Sequence, residues 1–224
     1  MRYGMVIDLE RCIGCRTCAV ACRQHNGQAP GTWWTRVFTP GSHRHLTPPE
    51  HGQEFFLPVS CMHCEEPPCE KVCPVGATYT AEDGAVLVDF DRCIGCRYCM
   101  AACPYGVRQF NWESPDETVE RVGYQEGYRY GYPRDHYEDG RRVYAARRPK
   151  GVVEKCTFCV QYRAGGEDPV CVQSCTGKAR TVGDLDDPDS EVSRLIGERN
   201  AFTLLPEKGT HPKVYYLPPR RKEV

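Results

Sequence analysis

The feature that most restricts this chain is the placing of its sixteen cysteines, which fall into four groups of four. The first group is Cys12, Cys15, Cys18 and Cys22, and the third, Cys93, Cys96, Cys99 and Cys103, repeats its spacing. Asp8 to Cys22 reads DLERCIGCRTCAVAC and Asp89 to Cys103 reads DFDRCIGCRYCMAAC, identical at ten of fifteen positions. A repeat centred on cysteines implies one structural unit used twice. The second group is Cys61, Cys64, Cys69 and Cys73, and the fourth is Cys156, Cys159, Cys171 and Cys175. The second and third groups end in Cys-Pro.

Such spacing has three chemical readings. A disulfide framework suits short secreted chains with irregular cysteine intervals, not 224 residues with four regular groups. Structural zinc uses two Cys-x2-Cys pairs separated by a linker, and has no need of a third and fourth cysteine in the same run. Iron-sulfur clusters remain. In bacterial two-cluster ferredoxins three cysteines of a run bind one cubane and the fourth, followed by proline, binds the other.

The local sequence fits that geometry. Gly14 lies between the first two cysteines, where a bare backbone wraps tightly and aims N–H groups at sulfides. Thr17 to Gln24 carries no helix breaker, so Cys18 and Cys22 share a helix face about 6 Å apart along the axis. One run therefore serves two clusters. The second and third groups pair as one ferredoxin-like unit, which leaves the first to pair with the fourth around it. Crossed pairing then gives four [4Fe-4S] sites: Cys12, Cys15, Cys18 with Cys175; Cys22 with Cys156, Cys159, Cys171; Cys61, Cys64, Cys69 with Cys103; and Cys73 with Cys93, Cys96, Cys99. The same sixteen cysteines are the iron ligands.

The expected fold is α+β: two nested two-cluster ferredoxin-like units with a Tyr-rich insertion and a C-terminal helix-strand extension. Residues 1–53 and 151–185 form the outer unit, 54–111 the inserted unit, 112–150 the insertion and 186–224 a docking extension. Strands are expected at Tyr3–Ile7, Glu54–Ser60 and Val107–Asn111, with a hairpin over Thr78–Val88 turning at Asp83-Gly84. Residues 54–111 contain every element of a small ferredoxin and could fold alone. Residues 26–53 read as an irregular surface connection in which His43, His45 and His51 are solvated and the Trp33-Trp34 pair packs locally. His63, between two ligands, either packs or hydrogen-bonds a cluster. Asp187-Pro188 reads as N-cap and first residue of a helix through Val192, Leu195 and Ile196. The insertion has no cysteine but six tyrosines from Tyr124 to Tyr144, which suits a partner contact. The Arg220-Arg-Lys222 cluster reads as solvated.

A formal charge of −1 gives no case for nucleic acid. Four cubanes held by sixteen thiolates add a charge of about −8, which Arg11, Arg16, Arg23, Arg92, Arg97 and Lys155 partly offset. No apolar run reaches the roughly 18 residues of a membrane helix. The first cysteine group begins by residue 12, which leaves no room for a signal peptide. All-thiolate clusters leave no open iron for substrate, and no G-x-G-x-x-G follows a strand. The chain reads as an electron wire.

Through MVIDLERCIGCRTC, CMHCEEPPC, DRCIGCRYCMAACPYGVR, VEKCTFC and GDLDDPDSEV, nearly the whole chain resembles the iron-sulfur electron-transfer (beta) subunits of molybdopterin oxidoreductases of the DMSO reductase superfamily. It looks most like the polysulfide, thiosulfate, tetrathionate and arsenate reductase group. The resemblance implies a non-catalytic subunit of an anaerobic respiratory complex, with a large molybdopterin catalytic subunit and a quinone-interacting membrane subunit as partners. It also implies that the Cys12 site faces molybdenum, followed by the Cys22, Cys61 and Cys73 sites. Further, it implies a peripheral location outside the cytoplasm, reached by co-export with the catalytic subunit; the cytoplasmic face is the alternative. The family pattern has proline after the fourth cysteine, but Arg23 and Thr176 follow Cys22 and Cys175. A free polyferredoxin carrier serving several enzymes is the alternative function.

Crossed pairing has a direct test. Cys22→Ser should abolish the EPR signal of the Cys156, Cys159, Cys171 site and spare that of Cys12, Cys15 and Cys18; the reverse pattern would show that each run serves one cluster.

Overall fold

The computed structural model describes residues 1–48, 51, 54–113, 135–145 and 149–219. At its centre is β1 (Tyr3–Asp8), whose six residues are all buried. A strand covered on both faces reads as a continuous apolar run, as Tyr3 to Ile7 does. β1 lies between β10 (Arg180–Asp184), antiparallel with Met5 opposite Val182, and β11 (Val214–Leu217), parallel with Met5 opposite Val214. Tyr3, Met5 and Ile7 point into the main core with the cysteines, and Val6 points to the other face.

That other face is closed by a helix, α6 (Glu191–Glu198), which lays Val192 fully buried, with Leu195 and Ile196, against Val6 and Leu217. Full burial of one valine contributes about 1.5–3 kcal/mol. The helix begins three residues later than Asp187-Pro188 suggests. Asp187 Oδ1 instead accepts from the Asp189 N–H at 2.9 Å, which turns the chain out of β10. Ser190 is the N-cap: its Oγ accepts from Ser193 N at 3.2 Å and donates to the Asp184 carbonyl at 2.7 Å.

The connection 26–53 is less superficial than its composition suggests. It contains β2 (Arg36–Phe38), antiparallel to β3 (Leu57–Val59), and buries Trp34. His43 is fully buried rather than solvated, stacked on Phe55 at 4.7 Å with Nε2 2.9 Å from the Phe55 carbonyl oxygen. His45 meets Phe38 edge-on and His51 stacks on Phe202 at 4.0 Å. Each histidine thus contacts a different ring.

Antiparallel β4 (Thr78–Thr80) and β5 (Val86–Val88) form the expected hairpin, turning at Gly84 with φ +79°. Its tip is wedged into the outer segments: the Asp83 carbonyl accepts from Tyr3 N at 2.9 Å, and its carboxylate pairs with Arg163. The end strands of the inserted segment are paired from outside as well. β3 pairs with β2, and β6 (Gln109–Phe110) pairs with β9 (Val153–Glu154). Among the described residues β3 and β6 thus pair with flanking chain and not with each other.

Part of the cysteine-free insertion also belongs to the body. β7 (His136–Glu138) and β8 (Arg141–Tyr144) form a hairpin that buries Val143 and Tyr144, and the Arg142 carbonyl accepts from Phe90 N at 3.0 Å. Tyr144 is a packing residue, whereas Tyr137 is 55% exposed. The tyrosines at 124–132 lie outside the described residues, as does the Arg220-Arg-Lys222 cluster. Before β11, residues 211–213 run along the second cysteine group, with Glu65 N donating to His211 O and Lys213 N to Met62 O, both at 2.9 Å.

The capping geometry predicts that Ser190→Ala lowers stability by about 1 kcal/mol and Asp187→Ala by less. Denaturant unfolding of the two variants checks this, and the opposite ranking would place the cap at Asp187.

Candidate metal centre

The two repeat copies build the same loop. Asp8 Oδ1 accepts from Glu10 N (2.9 Å) and Arg11 N (3.3 Å), and its carbonyl accepts from Cys12 N. Asp89 does the same for Asp91, Arg92 and Cys93. These aspartates turn the chain from strand into cysteine loop, a role legible only in their sharing one position of the repeat. Gly14 and Gly95 then take φ +70° and +69°; a Cβ would meet the Phe56 ring at 2.4 Å and the Gly151 carbonyl at 2.1 Å, respectively.

Arg16 and Arg97, both left-handed at φ 63°, open the next helices. The first, α1 (Thr17–His25), carries Cys18 and Cys22. The second, α3 (Tyr98–Ala102), stops before Cys103, because Pro104 disfavours helical backbone at the residue preceding it. α1 runs on because Arg23 follows Cys22.

The other two groups share a different plan. Met62-His63 and Thr157-Phe158 fill the Cys-x2-Cys intervals, and His63 (φ 44°) and Phe158 (φ 56°) aim their N–H groups at Cys61 Sγ (3.4 Å) and Cys156 Sγ (3.5 Å). Their rings stack face to face at 3.7 Å. The His63 ring thus packs on Phe158 while its Nδ1 accepts from Val86 N at 3.1 Å; burial, then Lys155, Lys213 and Arg163, hold its pKa well below the usual range. The third cysteines, Cys69 and Cys171, sit on one-turn helices α2 (Pro68–Lys71) and α5 (Val170–Gln173). In the longer gap of the fourth group, Cys159 first opens another single turn, α4 (Val160–Arg163). Further N–H groups reach Cys73 Sγ from Ala77 (3.2 Å) and Thr78 (3.4 Å), Cys175 Sγ from Ala179 (3.2 Å) and Cys22 Sγ from Gln28 Nε2 (3.3 Å).

Sulfurs distant in sequence converge. One part-enclosed cavity is lined by Cys12, Cys15, Cys18 and Cys175. A second has Cys61, Cys64, Cys69 and Cys103, and a third has Cys73, Cys93, Cys96 and Cys99. The remaining cysteines, Cys22, Cys156, Cys159 and Cys171, are all buried. Burial raises the Cys22 pKa to about 12 and carries Cys156 and Cys159 up as well, each rise reinforced by others of the four. Electrostatic neighbours link the sets in one order. Cys171 feels Cys18, Cys156 feels Cys61, and Cys99 feels Cys69.

These residues fit iron-sulfur clusters. A single tetrahedral zinc, with Zn–S about 2.3 Å, draws its ligands to one point. Among the described residues no three such side chains are gathered about one point to hold a single metal ion, whereas the cysteines of three sets each line a shared cavity. Buried donors face those spaces too: Arg108, 3% exposed, lines the second cavity with Nε and Nη2 lacking a protein partner. Arg180, 5% exposed, reaches Cys18 Sγ (3.6 Å) and Cys171 Sγ (3.8 Å).

Sequence reasoning placed the compensating charges elsewhere. Arg11, Arg16, Arg92 and Arg97 are exposed, Arg23 covers Trp33, and Lys155 donates to the carbonyls of Val86 and Cys156. The available signal was position, since Arg108 and Arg180 each stand five residues after the last cysteine of a run.

Comparison with known proteins agrees with this chemistry. Models of the 4Fe-4S dicluster domain match residues 11–77, 53–119 and 92–179. A Halobacterium salinarum protein, named for the iron-sulfur component of a dimethyl sulfoxide reductase, is 48% identical over 96% of this chain and 78% of its own length. A selenate reductase component of Mesobacillus selenatarsenatis is 41% identical over 97% of this chain and 72% of its own. The arsenate respiratory reductase iron-sulfur subunit of a Shewanella species is 39% identical over 97% and 96%. Identity at this level, held along almost the whole chain, establishes kinship: the protein belongs to the iron-sulfur electron-transfer subunits of the DMSO-reductase-superfamily molybdopterin oxidoreductases.

Proposed function

We propose that the chain holds four [4Fe-4S] clusters on the ligand sets Cys12, Cys15, Cys18, Cys175; Cys22, Cys156, Cys159, Cys171; Cys61, Cys64, Cys69, Cys103; and Cys73, Cys93, Cys96, Cys99. The clusters supply one-electron carriage, and the protein supplies thiolates, N–H groups directed at sulfur and a dry surround. The observation that carries this reading is that cysteines far apart in sequence line shared cavities as three of these sets, and that the four of the remaining set are all buried.

The two ends carry apolar surface suited to partners. Ile13 (65% exposed) flanks Cys15; Ile94 (64%) and Trp112 (63%) lie near Cys96, and Arg97 rests over the Trp112 ring at 4.9 Å. In this reading the Cys12 end meets a large molybdopterin catalytic subunit and the Cys73 end a quinone-linked membrane subunit. Substrate chemistry belongs to the catalytic subunit, and this chain conducts. No helix among the described residues is long and apolar enough to cross a membrane. The chain is a peripheral subunit, carried outside the cytoplasm with its catalytic partner. Residues 1–53 with 151–185 form the outer cluster pair and 54–111 the inner pair.

Anaerobic purification tests the reading. We expect about sixteen iron and sixteen acid-labile sulfide per chain, together with a stoichiometric pterin-containing large subunit. Zinc without sulfide would refute the clusters, and a stable free protein would indicate a carrier instead of a subunit.

A further inference from the structure

Arg108 and Arg180 occupy one position in two related halves of the molecule. Arg180 follows Cys175 by five residues and opens β10; Arg108 follows Cys103 by five and precedes β6. Both are almost fully buried, and among the described residues no carboxylate hydrogen-bonds or ion-pairs with either. The partners of Arg180 are sulfurs: Nη2 lies 3.6 Å from Cys18 Sγ, and Nη1 lies 3.8 Å from Cys171 Sγ and 3.3 Å from Met5 Sδ. Arg108 gives Nη1 to Thr78 Oγ1 at 3.1 Å and leaves Nε and Nη2 without a protein acceptor, with Cys69, Cys99 and Cys61 as its charged neighbours.

A guanidinium cannot escape burial by losing its proton, so it needs a negative counter-charge beside it. Cys18 and Cys171 belong to adjacent proposed ligand sets, as do Cys69 and Cys99. Arg180 thus reaches sulfurs of two sets, and Arg108 lines the cavity of one set while bonding Thr78, which lines the cavity of the next. The other buried cations differ: Lys155 donates to the Val86 and Cys156 carbonyls and Lys213 to the Cys64 carbonyl at 3.3 Å.

We propose that Arg180 and Arg108 are potential-setting residues, each a permanent positive charge shared by the two clusters of one pair, which raises both reduction potentials together. Reduction makes a cluster one unit more negative, and a fixed cation beside it favours that form. Because one charge serves both members, it moves both potentials in the same direction. The inference rests on the ligand sets proposed above.

The test is EPR-monitored redox titration, with iron quantification, of the intact complex carrying Arg108→Gln or Arg180→Gln. Four clusters should be retained. Both members of the affected pair should lose at least tenfold in reduction equilibrium constant, about 59 mV for a one-electron couple, and the other pair should stay as in the native protein. The shift should be the same at about pH 6 and about pH 9, since the guanidinium stays charged throughout. Arg→Lys should restore part of it. Four loaded clusters with unshifted midpoints, or an equal shift in all four, would overturn the proposal. Should a Gln variant load fewer clusters, the Lys variant decides: recovered iron sustains a charge role, and the same loss overturns it in favour of packing. Iron content of the native complex tests the ligand sets separately, because fewer than four clusters there would remove the basis of the proposal.

Discussion

Sulfur that must bear a negative charge inside a protein needs positive charge beside it, and much of this structure follows from that requirement. Nine of the sixteen cysteines are buried and two are exposed. Burial raises the Cys22 and Cys64 pKa to about 12, so without a cation these thiols stay protonated at neutral pH. Iron cores bind thiolate and expel that proton, which couples metal binding to folding. The regular elements are correspondingly small. α2 and α5 are single turns and β6 and β9 are two residues each. Loops held by positive φ at Gly14, His63, Gly95 and Phe158 carry the sulfurs instead.

Much of this was readable in advance, because metal ligation leaves a signature in spacing that tolerates variation elsewhere. The repeat marked the two matching loops, Asp83-Gly84 marked the hairpin, and the apolar run at Tyr3 marked the central strand. What escaped was set by distant chain. His43 looked like one of three solvated histidines, and only its stacking on Phe55 makes it a core residue. Asp187-Pro188 has the chemistry of a helix start, yet those residues are used to turn out of β10, and Ser190 takes the cap. Arg108 and Arg180 were missed because they sit in strand-like segments beyond the cysteine runs, where an arginine ordinarily faces water.

The strands that flank the first and fourth cysteine groups close differently from those that flank the second and third. β1 pairs with β10, so strands from the two ends of the outer unit meet directly. The equivalent strands of the inserted unit, β3 and β6, turn to β2 and β9 instead. Interlocking of this kind fixes the units against each other through backbone hydrogen bonds as well as through the His63–Phe158 stack.

Nesting has a consequence for synthesis. Cys22 leaves the ribosome about 150 residues ahead of Cys171, an interval of roughly 8–30 s at 5–20 residues per second. Through that time β1 lacks both neighbouring strands, and the first cysteines lack the sulfurs that join them in the finished molecule. β1 therefore gains its two partner strands only after residues 180–184 and 214–217 have been made. A central strand that pairs with two segments so far along the chain makes folding of this half a late, long-range event.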